Sequence, residues 1–189
     1  MVDDPWRIFL TTDHPNGAPF TSYPHLIKLL MDKSFRNDML STLHPEAQNA
    51  THLASLDREY SLYDIAIMTR AGAAKLVGLA DRGHLGVGAA ADITVYTDHA
   101  DREKMFTSPD YVFKDGNIVV KNGELVKVTW GTTHVVKPEY DKGIEKPLKE
   151  YFDKYHTMTM GNFKISDDEI VDDGRGSLTV QPLKKGGKL

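Results

Sequence analysis

The residue types best suited to chemistry lie near the start of the sequence, in the stretch Asp13-His14-Pro15-Asn16-Gly17. An aspartate can bind a metal ion or accept and return a proton, and an imidazole can do either. The residues before Asp13 are apolar and β-branched, whereas the proline and glycine after it prevent a regular strand. We therefore expect a buried strand over residues 6–12 that ends at Asp13 and is followed by an open loop.

Two interpretations of Asp13 remain open on this stretch alone. The carboxyl ends of buried strands are where α/β proteins collect ligands and catalytic groups, which favours a functional site. An aspartate in such a loop also commonly accepts hydrogen bonds from the backbone that follows it, which favours a purely structural turn. Short motifs discriminate weakly between these interpretations.

The composition limits the class of protein. With 189 residues, 40% hydrophobic and 26% charged, the chain has enough ordinary globular sequence for one domain or slightly more. Its net charge of −4 gives no electrostatic argument for nucleic acid or for an acidic membrane surface as a partner. The absence of cysteine excludes disulfides and thiol catalysis within the chain, and we expect a cytoplasmic location. No apolar run or leader pattern predicts a membrane span or a signal peptide.

Several helices should position the loop. Pro24 and the apolar residues after it predict a short helix over about residues 23–33. Residues 34–54 are polar and predict helical pieces broken near Pro45. His44 and His52 lie in this stretch without a partner at ligand spacing, so we expect them on the surface or at a helix cap.

The best-specified helix begins at Ser61, which forms a capping-box signature with Asp64. Apolar residues then recur at a 3.6-residue period until Gly78, which is typical of a helix end. The glycine-rich stretch 81–91 follows a helix and precedes a strand-like sequence. A dinucleotide-binding loop needs the opposite order, so these glycines predict turns.

A β-meander is predicted next. Asp115-Gly116 and Asn122-Gly123 are strong hairpin signals, because type I′ turns need positive φ at both central residues. They predict three antiparallel strands over residues 111–114, 117–121 and 124–130, with a strand at Ile93 as the fourth. From residue 137 onward we expect one helix, over about residues 144–155, and otherwise irregular chain. The acidic runs at residues 167–169 and 172–174 lack the spacing of a calcium loop and predict solvated surface.

Several of these stretches together resemble the C-terminal part of the amidohydrolase superfamily. The resemblance is carried by Thr11-Thr12-Asp13-His14, by the helix around Thr69-Arg70-Ala71-Gly72 and by Gly86-Val87-Gly88-Ala89-Ala90-Ala91-Asp92. Residues 12–17 and 53–63 resemble, more narrowly, the family of the amidohydrolase-like subunit of formylmethanofuran dehydrogenase. This narrower similarity extends through residues 138–141 and so covers nearly the whole chain.

The resemblance implies an α/β plus β fold. Residues 1–80 would be the last strand and helices of an amidohydrolase (β/α)₈ barrel, residues 81–136 part of a small β-sandwich, and residues 137–189 a C-terminal extension with one helix and an irregular tail. A complete barrel takes roughly 250 residues. The N-terminal barrel portion of the same subunit would therefore be a partner of this chain.

The resemblance also implies a site. The family's metal centre uses a His-x-His pair, a carboxylated lysine, two further histidines and a final aspartate. Asp13 corresponds to that aspartate, as metal ligand and catalytic proton carrier, and the sequence contains no His-x-His. His14 and Asn16 are expected to orient Asp13 or its loop. Binuclear zinc is expected in the complete subunit, whereas this chain alone is expected to bind no zinc and to be inactive.

The implied activity belongs to one-carbon metabolism and methanogenesis. The parent subunit would condense formate with the amine of methanofuran, or hydrolyse N-formylmethanofuran. Other subunits of the complex would reduce carbon dioxide with a tungsten or molybdenum pterin and iron–sulfur clusters, and neither nucleic acid nor membrane is expected as a partner. Two alternatives remain: a cyclic amidohydrolase of the dihydroorotase or hydantoinase kind, and a non-catalytic interaction module that retains the sandwich.

Overall fold

The computed structural model describes residues 2–171 and 175–183. The chain divides into two compact units, Met1–Val128 and Thr129–Leu189. The boundaries at residues 80 and 136 that the resemblance implies concern a different division, into barrel, sandwich and extension, and they stay a prediction. The mixture of helices and sheets agrees with the α/β plus β class.

Helices form most of the first unit before its sheet. The helix predicted over residues 23–33 ends earlier, because Asp32 has extended backbone and accepts a hydrogen bond from the N–H of Phe35 (2.9 Å), which starts a second helix. The α-helices of this unit are α1 (Tyr23–Met31), α2 (Lys33–Ser41), α3 (Pro45–Asn49), α4 (Leu62–Ala66), α5 (Gly72–Leu76) and α6 (Arg102–Thr107).

The helix predicted from Ser61 is confirmed, with one difference. The Ser61 hydroxyl accepts a hydrogen bond from the N–H of Asp64 (3.2 Å), and the Asp64 carboxylate accepts one from the N–H of Ser61 (2.8 Å). Between α4 and α5 the chain forms a π-helical turn, Ile67–Ala71. A single π turn shifts the helical register by only one residue, so the apolar period did not reveal it.

The strand predicted over residues 6–12 is wrong. Pro5–Arg7 form a short 3₁₀ helix, and Ile8 returns to extended backbone at φ −127°. A strand exists only when a neighbouring strand pairs with it, and no described residue pairs with residues 8–12. Two apolar residues of this segment, Ile8 and Leu10, instead pack against the core.

The core of the first unit lies between α1 and the helix that includes the π turn. It is formed by four buried side chains, Ile27, Tyr60, Ile65 and Met68. Ile65 and Met68 are each only 1% exposed. Tyr60 also donates its backbone N–H to the carbonyl of Leu30 (3.0 Å), which joins the chain before Ser61 to the end of α1.

The β-meander is confirmed as a four-stranded antiparallel sheet in the order β1-β2-β3-β4. Both hairpin turns have the predicted conformation, with φ +48° at Asp115, +77° at Gly116, +51° at Asn122 and +78° at Gly123. The last strand is shorter than predicted. The strands are β1 (Ile93–Val95), β2 (Tyr111–Lys114), β3 (Asn117–Lys121) and β4 (Glu124–Leu125).

The second unit is less irregular than expected. The predicted helix is present as α7 (Glu145–Tyr155), and a short α8 (Asp167–Ile170) follows. Two strands that were not predicted, β5 (Thr132–Pro138) and β6 (Ser177–Leu183), pair in parallel. The acidic run at residues 172–174, for which solvated surface was predicted, lies outside the described residues. In the part of the chain that is described, no helix has both the length and the apolar character needed to cross a membrane.

Candidate active-site loop

The loop that carries Asp13, residues 12–18, is closed by its own backbone. The N–H of Gly17 donates to the carbonyl of Asp13 (2.9 Å), and the N–H of Ala18 donates to the carbonyl of Thr12 (2.8 Å). The Thr11 hydroxyl also accepts a hydrogen bond from the N–H of Asp13 (3.2 Å). These bonds fix the backbone on both sides of the carboxylate.

Asp13 itself has left-handed backbone, with φ +50°. Few residues other than glycine adopt this conformation, although aspartate tolerates it better than most. Such residues persist where the surrounding structure holds them, and they concentrate at functional sites. The loop bonds of residues 17 and 18 are the contacts that hold Asp13 in this conformation.

The carboxylate of Asp13 is exposed. In the described ranges it accepts no hydrogen bond and forms no ion pair, since the turn is made by the main-chain carbonyls of Thr12 and Asp13. The purely structural interpretation required the side chain to accept bonds from the following backbone. That hydrogen bond is missing, so the carboxylate is available to a ligand.

The structure places His14 and Asn16 on the same exposed loop. The His14 ring stacks on the ring of Phe20, with centroids 4.1 Å apart and planes 23° apart. Across residues 2–171 and 175–183, no hydrogen bond joins either side chain to Asp13. The contact with Phe20 fixes the position of the imidazole, whereas an orienting role toward Asp13 stays a prediction for both residues.

Thr12 lies beneath the loop, and no sequence signal indicated a role for it. It is only 5% exposed, while its neighbour Asp13 is exposed, so the two side chains point to opposite sides of the segment. Its hydroxyl oxygen is buried and has no hydrogen-bond partner in the described structure. A buried hydroxyl without a partner costs about 1–3 kcal/mol.

The segment that leads to Asp13 rests on the helix with the π turn. A β-carbon at Gly72 would lie 3.3 Å from Cε1 of Phe9 and 2.9 Å from the carbonyl oxygen of Ile67, so glycine permits the close approach. Lys75 of the same helix lies 5.3 Å from the centre of the Trp6 ring. The helix therefore positions the segment whose end is the candidate site.

The described residues do not assemble the ligand set of a zinc centre. Zinc sites in proteins take three or four side-chain ligands, and within the described residues no three His, Asp or Glu side chains gather in a suitable cluster. His44, as predicted, caps a helix, because its Nδ1 accepts a hydrogen bond from the N–H of Glu46 (3.3 Å). Among the described residues, Asp13 is thus a single carboxylate with no second and third metal ligand gathered beside it.

A cavity of about 410 Å³ opens elsewhere in the first unit, between α1, the π turn and the region of β1 and α6. Its lining includes Leu10, Met68, Arg70 and Phe106, and none of the residues of the Asp13 loop. Nothing in the sequence indicated this cavity, because its lining comes from five separate stretches.

Comparisons with known proteins identify the family of the chain. Residues 1–120 match the model of the amidohydrolase family, and the chain belongs to that family. The fold of the chain is also found in the crystal structure of the formyltransferase/hydrolase complex FhcABCD from Methylorubrum extorquens with methylofuran. The TM-score is 0.83 at 38% identity, and the match covers 98% of this chain and 34% of that one.

Two curated relatives indicate a more specific group within this family. The chain is 43% identical over 167 residues to a subunit of the formyltransferase/hydrolase complex Fhc of Methylorubrum extorquens, covering 88% of the chain and 30% of the relative. It is 41% identical over 174 residues to Protein FwdA of Methanocaldococcus jannaschii, covering 86% and 31%. The chain thus spans about a third of the length of these relatives. The resemblance to the formylmethanofuran dehydrogenase family that was inferred from the motifs is confirmed.

Proposed function

We propose that this chain supplies the catalytic carboxylate of an amidohydrolase-type site that acts on a formylated amine in the complete subunit. The proposed substrate is N-formylmethanofuran, which would be hydrolysed or formed from formate and the amine. Two findings support this proposal: the similarity to one member of a formyltransferase/hydrolase complex, and the fold shared with a structure that contains methylofuran.

The observation that carries the proposal is the state of Asp13. Its backbone is held at φ +50° by a loop closed on itself, and its carboxylate is exposed and without a partner among the described residues. A carboxylate so placed can take the proton of an attacking water and return it to the leaving amine. His14 and Asn16, on the same loop, are proposed to orient Asp13 or the loop around it.

The metal and the partners belong to the same proposal. Asp13 would be one ligand of a binuclear zinc centre, and the remaining ligands would come from the N-terminal barrel portion of the subunit. Residues 1–80, 81–136 and 137–189 would then be the end of the barrel, part of the sandwich and the extension. Other subunits of a cytoplasmic complex would hold the tungsten or molybdenum pterin and the iron–sulfur clusters.

The test is Asp13→Asn in the assembled subunit, with formylmethanofuran hydrolysis and metal content measured on the same sample. General acid–base catalysis contributes about 10²–10⁴-fold, so we expect turnover to fall by that factor or more. Asp38→Asn is the matched control, because Asp38 is an exposed carboxylate of α2, away from the loop, and should leave turnover unchanged.

Near-normal turnover of Asp13→Asn at normal metal content would make Asp13 a loop residue, since asparagine starts turns as well as aspartate does. If the unaltered subunit hydrolysed dihydroorotate or a hydantoin in place of formylmethanofuran, the cyclic-amide alternative would replace the proposal. Inactivity on all of these substrates would favour the interaction module.

A further inference from the structure

The cavity of about 410 Å³ has the size of a small-molecule site, since such sites commonly measure about 300–1,000 Å³. Its wall is more apolar than polar. Tyr96 and Phe106 form one side as an edge-to-face pair, with ring centroids 5.1 Å apart. The other apolar contributors are Leu10, Pro24, Ile27, Met68 and Ala73.

Arg70 is the one charged residue among those that line this cavity, and it is exposed. The guanidinium of Arg70 donates a hydrogen bond to the hydroxyl of Thr69, and that hydroxyl donates to the carbonyl of Ile65 (2.7 Å). These bonds tie the guanidinium to the helix. Arg70 forms no ion pair with a carboxylate of the described chain, whereas Arg82 and Arg102 both do.

The backbone beneath Arg70 is the π-helical turn Ile67–Ala71. Single π turns within α-helices occur frequently at functional sites, because the extra residue changes which side chains face a given side. Here the turn contributes Met68, Thr69 and Arg70 to one cavity wall. Three consecutive residues thus provide an apolar contact, a hydroxyl and a cation.

We propose that this cavity binds a small amphipathic carboxylate. Its aromatic or aliphatic body would lie among Leu10, Met68 and Phe106, and its carboxylate would pair with Arg70. Charge complementarity selects the anion, because a guanidinium presents paired donors that match the two oxygens of a carboxylate. The aromatic pair of Tyr96 and Phe106 offers ring faces and edges to the body of the ligand. This site does not depend on the role of Asp13.

Calorimetric titration of the full chain with phenylbutyrate tests the proposal, with phenylbutanol as an uncharged probe of the same shape. We expect phenylbutyrate to bind at one site and phenylbutanol to bind about fivefold or more weakly, since the ion pair is partly exposed. Arg70→Gln should remove this preference for the acid. Arg7→Gln is the matched control, because Arg7 is an exposed arginine outside the cavity.

A second variant tests the apolar part. Ala73→Met extends a side chain into the cavity and should weaken both probes about tenfold or more, while circular dichroism verifies that the helix is retained. The proposal is overturned if phenylbutyrate does not bind at millimolar concentration, if the two probes bind equally, or if Arg70→Gln binds phenylbutyrate as the parent does.

Discussion

The carbonyl oxygen of Thr12 lies 2.5 Å from the point that a β-carbon would occupy at Gly17. No real side chain fits at that distance, and the same carbonyl accepts the hydrogen bond from Ala18 that closes the loop. Glycine at position 17 is therefore a requirement for the conformation that presents Asp13.

Gly17→Ala should open the loop without unfolding the unit. The new methyl group must displace the Thr12 carbonyl, so the hydrogen bond from Ala18 should break, and exchange of the Ala18 amide hydrogen should rise about tenfold or more. Amide hydrogen exchange measured by NMR reports this directly. Gly131→Ala is the control, because among the described residues only its own chain neighbours lie within 4 Å of a β-carbon there. Unchanged exchange at Ala18 would show that the loop tolerates a side chain.

The sequence was enough to select Asp13 as a candidate, but it did not predict the contacts that hold the Asp13 loop. Asp13 could be singled out because an acid follows an apolar run and precedes turn residues. The buried Thr12 hydroxyl and the contact of Phe9 with Gly72 depend on residues that are far apart in the sequence. Local patterns carry no information on such long-range contacts, which is also why the strand over residues 6–12 was predicted where the chain has no pairing partner among its described residues.

The two hairpin turns should differ in their response to valine. Both Gly116 and Gly123 have positive φ, where a β-branched residue is strained by about 1–3 kcal/mol. At Gly123 a β-carbon would also lie 2.5 Å from the Ser108 hydroxyl, whereas at Gly116 the nearest atom is 3.9 Å away. Thermal melts should therefore show Gly123→Val less stable than Gly116→Val, and both less stable than Gly131→Val. Melts of both that overlay the parent would refute the hairpin geometry.

The hairpins were predictable because two residues determine each turn. Asp115-Gly116 and Asn122-Gly123 fix positive φ locally, and the strand register follows from the turn. The parallel pairing of β5 with β6 joins Thr132 to Ser177, across a separation that no turn signal spans. A local signal for β5 was present in its β-branched residues, Thr132, Thr133, Val135 and Val136. It was not recognised as a strand because the residues that follow are rich in charge.

Asp92 should make the stability of the first unit depend on pH. Burial alone would raise the pKa of this carboxyl, but hydrogen bonds from the N–H of Asp115 (2.9 Å), from Lys114 (3.0 Å) and from Arg82 hold it below the ordinary value of 3.8. A lowered folded pKa contributes stability above the unfolded value, and that contribution is lost as the pH falls through the folded value.

Asp92→Asn should therefore lower stability by about 1–3 kcal/mol near neutral pH, because Lys114 and Arg82 lose their shared charged acceptor, whose side chain is 29% exposed. Its melting curve should approach that of the parent as the pH falls below 3.8. Thermal melts across this range measure the difference. Asp81→Asn is the control near neutral pH, because it makes the same charge change at a carboxylate that has no hydrogen bond or ion pair among the described residues, and it should melt as the parent does. A constant gap between Asp92→Asn and the parent down to the acid limit would contradict the pKa argument.

Arg36 should anchor the chain before Ser61 to the first two helices. It is 5% exposed, and its guanidinium donates to the carbonyls of Leu29 (3.1 Å), Leu56 (2.9 Å) and Arg58 (3.2 Å). Arg36→Met keeps the aliphatic stem and removes every donor, leaving these carbonyls without that partner. We expect a loss of about 2–4 kcal/mol, with Arg36→Lys intermediate because an ammonium reaches fewer of the acceptors.

Trypsin provides a local readout of this anchor. It cleaves the peptide bond after Arg58, and the carbonyl of that bond accepts a hydrogen bond from Arg36. Cleavage after Arg58 should accelerate in Arg36→Met at temperatures well below its melting point, because the segment opens locally before the unit unfolds. Arg7→Met removes an exposed arginine and should leave both the melt and the cleavage rate unchanged. Cleavage after Arg58 at the parental rate in Arg36→Met would mean that the core around Tyr60, rather than Arg36, holds this segment in place.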